Sequence, residues 1–304
     1  MKIYAYLKSR LKEYYTYISS SNLFENYLPI FRVYISFHIL KKIYLNWGST
    51  DLFLDKTIYT SKYSTLLPLI ESRLFNDTPV INIITIVLAI LYAFGIGKNI
   101  TALLLFFSAL LYFEPFLFIA NGGDNLLDRK STLLYFIMIY MIFVNSYKHL
   151  NIFNNYRTGE VSNVLSNLAT LSIMLHLCLA YFVSGVHKMS AGVWFNGVAT
   201  YYVWQLERFN APINYLFYKN AFIIGFSTYF TILFELLFPF LIWIRQFRKI
   251  LLISGLVLHL GIYFTMMIYD FEILFIAIYG FWISDATWGK LFLKINPGTL
   301  TAAK

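Results

Sequence analysis

The side chains with the most chemical potential stand together at the end of a strongly apolar segment, residues 168–186. His187 and Lys188 follow it directly, and a turn of small residues then leads to Trp194 and Asn196. A lysine that loses its hydration gives up its proton more readily and becomes a base or an amine nucleophile. Lysine and tryptophan at a helix end are also common anchors at a membrane surface. The residues alone leave both interpretations open.

Three charged residues lie inside apolar segments, where a charge costs roughly 2.5–3.5 kcal/mol at the centre of a membrane. Glu235 is the deepest acid, and we predict that it either pairs with a cation of the protein or serves the site. Glu114 precedes Pro115, which frees backbone groups, and its predicted role is a structural hydrogen bond. Arg32 lies one turn into its segment, and we predict that it reaches towards water or forms a structural pair.

The histidines give no metal-binding pattern. His259 lies within an apolar segment, and we place it with Glu235 as a deeper residue of the same site. His187 and Lys188 are neighbours, so they point about 100° apart on a helix and need not act on the same atom. The sequence has no H-x-x-x-H or HExxH motif and a single cysteine, Cys178. No metal site is predicted.

A polar tetrapeptide, Asn121-Gly122-Gly123-Asp124, follows another apolar segment. Its side chains offer hydrogen-bond donors and a carboxylate, and its glycines allow a backbone to approach a ligand closely. We expect it to face Lys188. Asp124 is then a candidate catalytic residue beside Lys188 and His187, and the other three residues join Trp194 and Asn196 as candidates for binding substrate.

Composition places these residues in a membrane. The chain of 304 residues is 59% hydrophobic and only 13% charged, whereas soluble domains carry about 25% charged residues. We therefore predict an all-α membrane helix bundle embedded in the lipid bilayer. The formal net charge of +9 is explained by basic loops on the inner side of the membrane rather than by nucleic acid, which is not a predicted partner.

Eight membrane-spanning helices are predicted in a single domain, residues 27–285, after an amphipathic helix in residues 1–26 and before a cytoplasmic tail, residues 286–304. The predicted spans are residues 27–45, 79–96, 100–120, 132–146, 165–188, 221–244, 250–269 and 271–283. A span needs about 20 apolar residues, and fewer when neighbouring helices shield its ends.

Charge distribution predicts the orientation of these spans. Lysine and arginine are more numerous in the loops that are cytoplasmic if both termini lie inside, as the positive-inside rule requires. The third, fifth and seventh spans then end on the outer side. That arrangement brings Asn121–Asp124, Lys188 and the acids Asp270 and Glu272 to one extracytoplasmic face.

Several residues in order resemble the HTTM membrane domain, the family that includes vitamin K-dependent gamma-glutamyl carboxylase and many bacterial proteins. The segment from Ser184 to Met189, with Trp194 and Gly197, is similar to the family's lysine–tryptophan block. Further similarities are Phe31-Arg32, Asn121–Asp124, Leu258–Gly261 and residues 266–271, so the resemblance covers about residues 27–285. In the carboxylase this block holds the lysine thought to deprotonate vitamin K hydroquinone, and the resemblance assigns that role to Lys188.

The chain also departs from the carboxylase pattern. His187 stands where the carboxylase has the first of two lysines. We also expect this protein to lack the large extracytoplasmic C-terminal domain of the carboxylase. Its length and polar tetrapeptide are closer to the bacterial sporulation-delaying protein B branch. That resemblance implies a bacterial inner-membrane protein needed to mature or export a secreted antimicrobial peptide toxin, with the precursor peptide and an accessory maturation protein as partners.

Three functions therefore stay open. The first is toxin maturation or export through an outward pocket centred on Lys188, either as a base or as a cation that binds a peptide carboxylate. The second is a carboxylase-like oxidoreductase, epoxidase or carboxylase, for which a quinol is the implied cofactor. The third is a transporter or an immunity-type scaffold.

Overall fold

The computed structural model of the chain describes residues 2–47, 78–120, 125–153, 156–209 and 211–295. Every regular element in these ranges is a helix, so the predicted all-α class is confirmed for them. The α-helices are α1 (Lys2–Ser20), α2 (Tyr27–Asn46), α3 (Thr78–Ala93), α4 (Lys98–Ala120), α5 (Asn125–Ile142), α6 (Glu160–Ser190), α7 (Gly192–Phe195), α8 (Ala199–Gln205), α9 (Ala221–Leu241), α10 (Arg245–Met266), α11 (Tyr269–Tyr279) and α12 (Asp285–Ile295).

Three of the described helices, α6, α9 and α10, are long and apolar enough to cross a membrane. Shorter apolar helices cover Val80–Ala93, Lys98–Leu110, Leu133–Ile142 and Glu272–Trp282. The fold is thus compatible with a membrane protein, while eight crossings and their orientation stay predictions.

The ends of the long helices follow from their sequence. α6 begins at Glu160. This acid lies in the first turn, where a negative charge interacts favourably with the helix dipole. The side chain of Asn220 caps α9 by accepting hydrogen bonds from the backbone N–H groups of Phe222 and Ile223. α10 ends at Met266, and the next residue, Met267, adopts the left-handed conformation with φ 55°.

The chain divides into two compact units, Met1–Thr170 with Asp285–Lys304, and Leu171–Ser284. In the first unit α2 packs against α3, α3 against α4, and α4 against α5. Glu114 lies in α4, in the part of that helix whose backbone alone is described.

Arg32 is the polar centre of the first unit. It is fully buried, and its guanidinium lies 5.1 Å from the centre of the Tyr147 ring. The same group donates hydrogen bonds to four backbone carbonyl oxygens, those of Ala93, Ser146, His149 and Leu150. These bonds satisfy carbonyls at helix and loop ends, which an apolar interior would otherwise leave without donors. Arg32 therefore has a structural role within the interior and does not reach towards water.

The predicted cytoplasmic tail begins as a helix, α12, that belongs to the first unit. The Asp285 carboxylate accepts hydrogen bonds from the backbone N–H groups of Asn26 and Tyr27, both at 3.1 Å. Partial burial raises the pKa of this carboxyl, although these hydrogen bonds oppose the shift. The rings of Tyr27 and Trp288 stack with their centres 4.6 Å apart. The start of α2 thus holds α12 in place.

The second unit is built around α9, which packs against α8 and α10, while α10 packs against α11. An aromatic row runs along α9 at every fourth residue, so each ring contacts the next while the row winds gradually around the helix. Its members are Phe222, Phe226, Phe230, Phe234 and Phe238. The two rings at its C-terminal end pack against Tyr181 of α6. This contact fixes the face of α6 that carries the candidate site.

Candidate functional site

Lys188 forms an ion pair with Glu235 in the second unit. Its Nζ lies 2.6 Å and 2.7 Å from the two carboxylate oxygens of Glu235, and 2.7 Å from Oγ of Ser184. The side chains of Lys188 and Glu235 are 19% and 10% exposed. An ammonium has three N–H donors, and here each of them has an oxygen acceptor.

Helix geometry brings these three residues together. Ser184 and Lys188 are four residues apart in α6, so they share one face of the helix. Gly185 lies on the same side, and a Cβ atom added there would lie 2.9 Å from Leu236 and 3.3 Å from Cβ of Glu235. The missing side chain therefore lets α6 and α9 approach closely enough for the ion pair to form.

Trp194 covers the ammonium from the next helix, α7. The centre of its ring lies 5.1 Å from Nζ of Lys188, within the range of a cation–π interaction. Gly197, with φ 72°, ends the turn after α7, and Tyr229 of α9 donates a hydrogen bond of 2.9 Å to the carbonyl oxygen of Phe195. α9 thus positions both the carboxylate partner and the aromatic cover of Lys188.

The charge of Glu235 changes how Lys188 can act. The two carboxyl oxygens of Glu235 take up two of the three N–H groups of Lys188, so the two side chains act together as one proton-sharing pair. The groups in contact with Lys188 are Glu235, Ser184 and Trp194, and each of them is already engaged with its ammonium, so none is left to hold the quinol that the resemblance implies. No step through a quinol is therefore derived.

Two other predicted site residues lie nearby but take no part in the ion pair. His187 is exposed, and its backbone carbonyl accepts a hydrogen bond from Ser190. Asn196 is also exposed, at the end of α7. Asn121, Gly122, Gly123 and Asp124 lie outside the described residues, so their expected approach to Lys188 stays a prediction.

His259 belongs to a second polar cluster in the same unit. Its Nε2 hydrogen-bonds the hydroxyl of Tyr181, and its Nδ1 hydrogen-bonds the carboxyl of Glu272. The Tyr181 hydroxyl also hydrogen-bonds that of Tyr279. All four side chains are buried, with residue exposures of 1–4%. His259 thus forms its hydrogen bonds with Tyr181 and Glu272 rather than with the Lys188–Glu235 pair, although it is close enough to interact electrostatically with Glu235.

Sequence reasoning missed three parts of these clusters. Ser184 had an available signal, because it stands one helical turn before Lys188. Glu272 was grouped with the acids of an outer loop, but it lies in α11, only 1% exposed, against His259. Tyr279 had no local signal, since its partner Tyr181 is far away in the sequence.

No protein-family model, curated protein or solved structure matches this chain. The similarity to the HTTM family stays a prediction that rests on the residues quoted above. Among the described residues, no group of three or more histidine, cysteine, aspartate or glutamate side chains could hold a metal ion.

Proposed function

We propose that this chain is an integral membrane protein that matures or exports a secreted antimicrobial peptide toxin through the Lys188–Glu235 pair. The observation that carries the proposal is this nearly buried ion pair between α6 and α9, two helices long enough to cross a membrane. Charged groups at membrane depth are costly and commonly mark functional sites. The peptide substrate is suggested by the resemblance to the sporulation-delaying protein B branch.

The pair can supply a base when the proton that it shares lies on Glu235. The pair can exist as an ion pair or as a neutral amine beside a carboxylic acid. An apolar environment stabilises charged groups less than water does, so the difference in free energy between these two states is smaller there. A proton that moves from Lys188 to Glu235 leaves a neutral amine in place. When a peptide group approaches, that amine can take a proton, and Glu235 holds the other one.

We further propose eight membrane crossings with both termini in the cytoplasm. The excess of lysine and arginine in the inner loops supports this orientation. Lys188 then lies at the outer end of its span, on the side where a secreted peptide emerges. The precursor peptide and an accessory maturation protein are the proposed partners. Labelling of single introduced cysteines from the outside of intact cells tests the orientation, which fails if residues 286–304 react there.

A mass comparison of the secreted peptide tests the function. Cells that make the precursor with this protein should release a peptide of different mass or much higher yield than cells without it. Lys188→Ala and Glu235→Gln should each lower the mature product by about 100-fold, in line with the loss of a general base. Lys188→Arg should lower it as well, since arginine keeps the charge but is a poor base.

The matched control is Val186→Ala, which changes an exposed residue of the same helix and should leave the product unchanged. All variants are compared at equal protein level in the membrane. An identical peptide, in mass and amount, from cells with and without this protein would refute the proposed function.

A further inference from the structure

Ser184 stands where a catalytic nucleophile would stand relative to Lys188. Its Oγ lies 2.7 Å from Nζ of Lys188, and the side chain is only partly buried. A serine hydroxyl is a weak nucleophile until an adjacent base removes its proton. Serine with lysine as its base is a recurring variant of the catalytic triad. In the structure the ammonium donates to this oxygen, so Lys188 must first pass a proton to Glu235 before it can accept the hydroxyl proton of Ser184.

Ser184 also differs from other hydroxyl side chains in these helices. Thr85, Thr170 and Ser227 each bond back to the carbonyl oxygen four residues earlier, with distances of 2.7–2.8 Å. That is the usual arrangement for serine and threonine inside a helix. The oxygen of Ser184 instead accepts a hydrogen bond from an ammonium that is itself bound to a carboxylate.

We propose that Ser184 is the nucleophile of a peptide-bond cleavage, with Lys188 as its base and Glu235 as the acceptor of the lysine's proton. The inference rests on the proposed function and names its reaction, acyl transfer from a peptide bond of the precursor to Ser184. The substrate is an extended segment of a polypeptide at the outer end of α6.

The first half of the reaction forms an ester. One proton moves from Nζ of Lys188 to the carboxylate of Glu235. Oγ of Ser184 then forms a bond to the carbonyl carbon of the peptide bond, while its hydroxyl proton passes to the amine of Lys188. The C–N bond breaks as Lys188 gives that proton to the leaving nitrogen. One fragment departs with a new amino terminus, and the other stays as an ester on Ser184.

Water completes the reaction. It adds to the ester carbonyl carbon and gives one proton to Lys188. Oγ of Ser184 leaves and takes that proton, which restores the hydroxyl, and the second fragment departs with a new carboxyl group. Glu235 then returns its proton to Lys188. The net reaction is the hydrolysis of one peptide bond by one water molecule, which gives a new amino terminus and a new carboxyl terminus. No oxidant or further reactant is required.

The test combines peptide mass with labelling of the full-length protein in membranes. A fluorophosphonate probe should modify Ser184 in the wild type, as seen by mass spectrometry of the labelled segment. Ser184→Ala and Lys188→Arg should abolish that label and lower the cleaved peptide by about 100-fold. Ser190→Ala, which changes another serine of α6, is the control and should retain both.

A second variant keeps the proposal testable if Ser184→Ala does not reach the membrane. Ser184→Cys in a Cys178→Ala background preserves the size of the side chain and should retain slow cleavage. Iodoacetamide should then stop that cleavage, while the Cys178→Ala parent should be insensitive.

The possible results of these experiments distinguish a failure of the Ser184 assignment from a failure of the proposed function. If the cleaved peptide requires this protein but the Ser184→Ala variant still produces it in normal amounts, only the role of Ser184 is wrong. A peptide that never depends on the protein overturns both. An active preparation in which the probe leaves Ser184 unmodified also contradicts the nucleophile assignment.

Discussion

The ammonium of Lys188 is surrounded by three oxygen atoms and one indole ring. A lysine that served only as a membrane anchor would direct its charge into water at the surface. Here the ammonium contacts the carboxyl group of Glu235 in α9, another helix long enough to cross a membrane. Such a pair gains little stability over an apolar replacement. Its presence therefore favours a role beyond anchoring.

His259 and Glu272 give a prediction about stability at the level of single residues. Glu272→Gln keeps the shape of the side chain but removes the charge that faces Nδ1 of His259. A buried hydrogen bond to a neutral acceptor is about 1 kcal/mol weaker than one to a charged acceptor. We expect a lower midpoint of thermal unfolding in detergent, measured by the fluorescence of the chain's tryptophans. The control is Glu207→Gln, an exposed glutamate that should stay within ~0.5 kcal/mol of the wild type. Equal midpoints for the two variants would contradict the buried pair.

Helix packing depends on glycine at a few contacts. A Cβ atom added at Gly255 of α10 would lie 2.3 Å from the hydroxyl of Tyr279 and 2.8 Å from the ring of Phe234. Atoms cannot stay that close, so Tyr279 would have to move away from its hydrogen bond with Tyr181. Gly255 thus allows α10, α11 and α9 to pack around the second polar cluster.

A pair of substitutions in α10 tests this packing. Gly255→Ala should destabilise the protein by about 1–3 kcal/mol, the usual cost of overpacking. Gly261→Ala, in the same helix, meets nothing within 4 Å and should be neutral or slightly stabilising, because alanine favours the helix. Chemical unfolding in mixed micelles gives both values. If the two alanine variants have the same free energy of unfolding, the close contact at Gly255 is wrong.

The helices were predictable where apolar runs are long, and less so at their ends. The predicted spans at 221–244 and 250–269 correspond to α9 and α10, which the structure ends at Leu241 and begins at Arg245. Charged residues continue a helix into water without adding to its apolar pattern, so a hydropathy criterion places such ends poorly. α12 was missed because its 11 residues carry no long apolar run.

The candidate site was predictable only in part, for a physical reason. Lys188 and Trp194 are neighbours in the chain, so one apolar segment and one turn were enough to associate them. Glu235 lies on another helix, and the sequence left open which cation it meets. His259 was grouped with Glu235 by depth alone, whereas side-chain packing directs it towards Glu272.

At the scale of the whole molecule, the two units contribute differently. Residues 171–284 contain both polar clusters, while the first unit is organised around Arg32 and holds α12. Ser184, Lys188 and Glu235 all belong to the second unit. Replacing Lys188 and Glu235 together, rather than singly, should separate a loss of peptide maturation from a loss of stability.

The most direct test of the account replaces both members of the pair by methionine. Either Lys188→Met or Glu235→Met alone leaves one buried charge without its partner and should cost about 3–5 kcal/mol in unfolding free energy. The double variant removes both charges and should regain most of that stability. We predict that cells with the stable double variant still release no mature peptide, as measured by mass spectrometry. Mature peptide at the wild-type level from the double variant would contradict the claim that Lys188 and Glu235 form the functional site.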